Sequence, residues 1–129
     1  KKKFFNHKID HSKIKQIDVS DNELYHFYKN ASLLIYPSLY EGFGLPTIEA
    51  MSIGCPVVSS NHSAIIEAVG DAAKLFDPNE PEDIKFSIER IVYSKEITND
   101  LIKKGYERSK LFTWEKCSKE TMNVYKKIS

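Results

Sequence analysis

A chain of 129 residues, 41% of them hydrophobic and 29% charged, has material for one compact core and not for two. A formal net charge of +1 leaves no electrostatic footprint for nucleic acid, and two distant cysteines without metal spacing, Cys55 and Cys117, read as reduced packing residues of a cytosolic protein. No apolar run reaches the ~20 residues of a membrane-spanning helix, and the opening residues do not follow a signal-peptide pattern.

The Lys1-Lys2-Lys3 start reads as a solvated end, and Ile14 to Val19 as a short strand. Ser20 with Glu23 three positions on forms a capping box, which predicts a helix to about Asn30 that buries Leu24, Phe27 and Tyr28. Leu33-Leu34-Ile35-Tyr36 is a continuous apolar run ended by Pro37, the pattern of a strand covered on both faces. Pro46 suits a first helical turn, and Gly54 stops that helix. Pro56 to Ser59 is the next buried strand, Ile65 to Val69 a short helix ended by Gly70, and Lys74 to Phe76 a brief strand before the turn Asp77 to Pro81. Helical spacing of Ile84, Ile88, Ile91 and Val92 opens the last third. Two further helices follow, the final one with Trp114, Cys117, Thr121, Val124, Tyr125 and Ile128 along one face. Strands alternating with helices predict an open parallel α/β sheet with helices on both faces.

The chemistry concentrates in Tyr40-Glu41-Gly42-Phe43-Gly44-Leu45-Pro46-Thr47-Ile48-Glu49-Ala50, where a strand's carboxyl end passes into a helix. That is the ligand position of an open α/β sheet. Gly42 and Gly44 let the backbone turn tightly and approach a ligand. The N–H groups of Leu45, Thr47 and Ile48, unpaired at a helix start, are expected to face an anion with help from the helix dipole. Singly, each feature has an ordinary explanation: an N-terminal helix acid for Glu49, a solvated loop acid for Glu41, a plain strand-to-helix turn for the glycines. Together they describe a phosphate site flanked by two carboxylates. A carboxylate beside phosphate repels it but accepts hydrogen bonds from neutral hydroxyls, such as a ribose diol or a sugar ring. A nucleotide-sugar has that layout.

The segment resembles the retaining glycosyltransferases of family 4, the group 1 glycosyltransferases of the GT-B fold, marked by two glutamates separated by seven residues, here Glu41 and Glu49. Ser20 to Leu24, Tyr36-Pro37-Ser38, Glu41 to Met51, Gly54, Pro56-Val57-Val58, Glu67, Val69-Gly70-Asp71, Asp77-Pro78 and Phe112 to Glu115 fall in family order. The resemblance implies a Rossmann-like domain, the donor-binding C-terminal half of such an enzyme. It implies that Glu41 faces the donor sugar near the reacting carbon, as the catalytic residue. It gives the N–H groups of Phe43, Gly44 and Leu45 the sugar and distal phosphate, with Thr47 close by, and gives Glu49 the ribose diol. The loop after Ser59 and Glu67 would line the pocket less directly. Asp18 stands where the family has a glycine near the base, and Ile66 where it has a proline.

The resemblance also implies an acceptor-binding domain and first strand-helix units upstream of residue 1, so that residues 1–129 are a partial donor domain, inactive alone. The partners expected are a nucleotide-sugar donor and a saccharide or lipid-linked saccharide acceptor, with no nucleic acid. The longer protein is expected in the cytoplasm, peripherally at the inner face of the membrane, in lipopolysaccharide or capsule synthesis. No cofactor or metal is expected, because no Asp-x-Asp pair is present to hold a cation on a diphosphate. His7 and His11 read as surface histidines rather than ligands. Two other readings compete: a nucleotide-sugar-binding module without turnover, and a nicotinamide-dependent dehydrogenase. The dehydrogenase fingerprint wants a third small residue where Thr47 stands, and an acid after the next strand, which here ends in Ser59-Ser60.

Overall fold

The computed structural model describes residues 11–128, so Lys1 to Lys3 and His7 lie outside the described residues. After a 3-10 turn at His11–Lys13, the chain forms α1 (Asp21–Asn30), β1 (Leu34–Tyr36), α2 (Leu45–Ser52), β2 (Val57–Ser60) and α3 (Ser63–Val69). It continues through β3 (Lys74–Phe76), α4 (Pro81–Val92), α5 (Lys95–Ser109) and α6 (Trp114–Ile128). The strands pair in parallel in the order β1-β2-β3, with Leu34 opposite Val57 and Val58 opposite Lys74.

Alternation along the strands divides the core in two. Leu34, Tyr36, Val57 and Leu75 turn to one face and pack with Tyr28 of α1, Ile48 and Met51 of α2 and Ile65 of α3. Val58 and Phe76 turn to the other and pack with Ile91 of α4 and Leu101 of α5. The expected open parallel α/β sheet with helices on both faces is therefore present. Central β2 is buried at all four positions, which is why its sequence reads as an unbroken apolar run closed by small serines.

Local signals explain most element ends. Ser20 accepts the Glu23 N–H while the Glu23 carboxylate accepts the Ser20 N–H at 2.9 Å, the reciprocal box the sequence predicts. Gly54, at φ +82°, ends the turn after α2 in a left-handed conformation, and Gly70 follows α3. Three expectations need correction. Ile14 to Val19 forms no strand; it runs outside the sheet, and Ile17 is 50% exposed, because no strand among the described residues pairs with it. Phe27 is exposed, since α1 rests on the core through Tyr28 and Leu24 only. Ile35 is exposed as well: β1 lies at the sheet edge, beyond the cover that α4 and α5 give β2 and β3.

Candidate functional site

The site forms where β1 ends and α2 begins. Pro37 cannot extend the ladder, so the chain leaves the sheet after Tyr36 and crosses the carboxyl ends of the strands before re-entering as a helix. Ser60, at the end of β2, donates its hydroxyl to the Ser38 carbonyl oxygen and ties this crossing to the central strand. Gly44 caps α2 at φ +87° and is buried, with the Ile65 and Tyr36 side chains 3.6 and 3.7 Å from where a Cβ would stand. The conformation, more than the space, demands glycine there.

Each residue expected at the site has a defined place. Glu41 lies in the crossing, where its Oε1 accepts the Tyr36 hydroxyl at 2.6 Å and the Ser38 hydroxyl at 2.9 Å. These two bonds, Tyr36 first, hold its carboxyl below the usual carboxylate range. Phe43 is half-buried and meets the ring of Phe112 edge-on at 5.1 Å. Leu45 opens α2 with its side chain exposed. The N–H groups of Phe43, Gly44 and Leu45 donate to no group among the described residues, so the helix start keeps free donors. Glu49 is exposed on the next turn and accepts a long bond, 3.4 Å, from the Tyr28 hydroxyl.

Thr47 departs from expectation. Its N–H donates to the Gly44 carbonyl oxygen at 3.0 Å, and its hydroxyl donates to the same oxygen at 2.7 Å. Thr47 is buried and its polar groups are spent on the turn, so the free N–H groups of this helix start are those of residues 43 to 45 and of Ile48.

The two glutamates are linked through their tyrosines. Tyr28 and Tyr36 share one apolar cluster, and each phenol is pushed up to about 12, first by burial and then by its own glutamate, with Tyr28 adding to the rise at Tyr36. Both hydroxyls therefore stay neutral donors in ordinary conditions. Sequence reasoning assigned no role to Tyr28, Tyr36 or Ser38. The readable signal was the spacing of Tyr36 and Ser38, two apart at a strand end and so on one side of the chain.

Farther out, an open groove of about 570 Å³ runs from Phe43, Ile48 and Glu49 to Phe112, Trp114 and Cys117. Its walls are mostly apolar, with Glu49 as a carboxylate on one side. Ser59 Oγ and His62 Nδ1, at and after the carboxyl end of β2, are buried without a partner among the described residues. Glu67 is exposed on α3, and its carbonyl oxygen, with that of Ala68, accepts from the Arg108 guanidinium. Asp18 is exposed in the segment before α1. Among the described residues no group of three His, Cys, Asp or Glu side chains is placed to hold a metal, and no helix is long and apolar enough to cross a membrane.

Comparison with known proteins gives this geometry a family. Residues 7–108 match the family described as Glycosyl transferases group 1. The chain is 42% identical over 108 residues to O-antigen chain mannosyltransferase B of Escherichia coli, covering 84% of this chain and 28% of that protein. It is 34% identical over 113 residues to the MMP alpha-(1->4)-mannosyltransferase of Mycolicibacterium hassiacum, again 84% of this chain and 28% of that protein. Among solved structures, sucrose-phosphate synthase from Thermosynechococcus elongatus superposes with a TM-score of 0.77 at 30% identity, over 89% of this chain and 29% of its own. The chain thus spans less than a third of the length of these relatives. With its parallel sheet, its glycine-capped helix and its paired glutamates, it belongs to the group 1 glycosyltransferases.

Proposed function

We propose that the chain is the nucleotide-sugar-binding part of a retaining glycosyltransferase, which moves a sugar from a nucleoside diphosphate donor to an acceptor hydroxyl. The observation that carries this reading is the row of free N–H groups at residues 43 to 45, set between the glutamates at 41 and 49. The distal phosphate sits against those N–H groups and the amino-terminal end of α2. Glu49, only loosely held by Tyr28, takes the ribose diol, and Glu41 faces the sugar.

In the reaction the bond from the anomeric carbon to the phosphate oxygen breaks, and a bond from that carbon to the acceptor oxygen forms on the same face. The acceptor proton passes to the leaving diphosphate. Charge accumulates on the diphosphate, where preorganised N–H donors lower the barrier without a metal. The sugar becomes cationic, and the Glu41 carboxylate, kept ionised by its hydroxyl partners, favours that charge. A binding module without turnover would need the same Glu49 and N–H groups, but not an ionised acid at the sugar.

The acceptor, a saccharide or lipid-linked saccharide, is held by another domain of a longer protein. That protein works in bacterial envelope polysaccharide synthesis, in the cytoplasm at the membrane's inner face. The O-antigen relative supports this assignment, and two mannosyltransferases among the relatives make mannose the first sugar to test. The test is incubation of the longer protein with GDP-mannose, UDP-glucose and ADP-glucose, following nucleoside diphosphate release and the anomeric configuration of the product. Turnover with retention supports the reading; inversion, or turnover unchanged in Glu41→Gln, contradicts it.

A further inference from the structure

Glu41 is held more firmly than a loop carboxylate needs to be. Tyr36 reaches it from the last residue of β1 at 2.6 Å, and Ser38 from the crossing at 2.9 Å. Both hydroxyls meet the same oxygen, Oε1, and Oε2 accepts no bond among the described residues. The holders are themselves held: Tyr36 is packed in the core cluster of Tyr28, Ile48 and Ile65, and Ser38 is tied by its carbonyl to Ser60 of β2.

We propose that Tyr36 and Ser38 are positioning residues for Glu41, gripping one carboxylate oxygen from the sheet so that the other is left free, charged and fixed in place for the donor sugar. The proposal rests on the functional reading above only for the identity of what Oε2 meets. A lone carboxylate in a loop samples several rotamers, and each hydroxyl bond removes part of that freedom before a ligand arrives. The Tyr36 phenol suits the task because it donates without ionising. Of the neighbouring titratable groups, Tyr28 on α1 adds to the rise at Tyr36 and bonds Glu49 on α2, while Tyr40 meets the ring of His62 before α3. No charged side chain is among the causes of the lowered Glu41 pKa; the two hydroxyl bonds are, with desolvation opposing them.

The test is a titration of the Glu41 side-chain carboxyl resonance by NMR in this protein, assigned by its loss in Glu41→Gln. In the parent, Glu41 titrates below the ordinary value of 4.5. Tyr36→Phe, which removes one hydroxyl and keeps the ring, raises the midpoint towards the ordinary value, and Ser38→Ala raises it less. Ser38→Thr, which keeps a hydroxyl, restores the parent value. In the intact transferase the first two variants lower kcat with little change in donor KM. A Tyr36→Phe protein with a native amide spectrum and an unmoved Glu41 midpoint overturns the proposal. If Tyr36→Phe does not fold, an unmoved midpoint in Ser38→Ala overturns it instead. Should Glu41→Gln leave sugar transfer intact, the functional reading fails, while the titration still decides what Tyr36 and Ser38 do.

Discussion

The Glu41 carboxylate accepts two hydroxyl bonds on one oxygen, whereas Glu49 accepts a single long one and stands exposed. Under the proposed function, that contrast predicts different failures in the longer protein. Glu49→Ala removes the contact proposed for the ribose, which would be equal in ground and transition states, so donor KM rises while kcat changes little. A hydrogen bond to a charged group contributes about 1.5–3 kcal/mol, so the rise is on the order of tenfold to a hundredfold. Glu41→Ala instead lowers kcat, on the order of a hundredfold, because its charge matters most as the sugar becomes cationic. Steady-state kinetics of the two variants checks this, and equal effects on KM from both would contradict it. The glutamates were legible in the sequence because their spacing around two glycines is specific. Tyr28 was not, since it comes from a helix 21 positions before Glu49 and such a contact leaves no local pattern, whereas Tyr36 stands five positions from Glu41.

At the scale of elements, the helix joints make firmer predictions than the helix surfaces. Gly54 has φ +82°, and a Cβ there would stand 2.8 Å from Cζ of Tyr106 on α5. Gly54→Ala therefore carries the left-handed penalty of about 1–2 kcal/mol, read by denaturant unfolding, while the exposed hydroxyl end of Tyr106 turns aside. A loss below ~0.5 kcal/mol would contradict the left-handed conformation at Gly54. Gly105, whose Cβ would stand 3.2 Å from Met51 Cγ, lies in the same contact and tolerates Ala better, since its φ is not in the left-handed region.

The tyrosine pair supplies a pH prediction at this scale. Tyr28 and Tyr36 have folded values of about 12 against an ordinary 10.0. A raised folded pKa means that their stabilisation is complete below pH 10 and is lost as pH rises through about 12. Spectrophotometric titration of tyrosine should show two late phenols, each removed by the matching Tyr→Phe change. Loss of stability well below pH 10 would contradict the assignment.

Helix and strand types followed from capping, proline and glycine signals, which act locally. The misread side chains, Phe27, Ile35 and the Ile14, Ile17 and Val19 of the first segment, are apolar and exposed. Periodicity marks a side chain as apolar but cannot say whether another element covers it.

At the scale of the molecule, the described residues form a three-stranded parallel sheet with the candidate site at one edge strand, in a chain spanning under a third of its relatives' length. No lysine or arginine lies between Tyr36 and Met51, so the proposed diphosphate would meet only neutral N–H donors in that segment. Donor binding by this chain is therefore expected to be weak. The most direct test of the central claim is an amide NMR titration of the chain with UDP, GDP and ADP up to millimolar concentration. At least one nucleotide should move the amides of residues 43 to 49 most, with a response diminished in Glu49→Ala. If none of the three nucleotides moves them, or the largest changes fall on the α4–α5 side of the sheet, the site is not a nucleotide-sugar site.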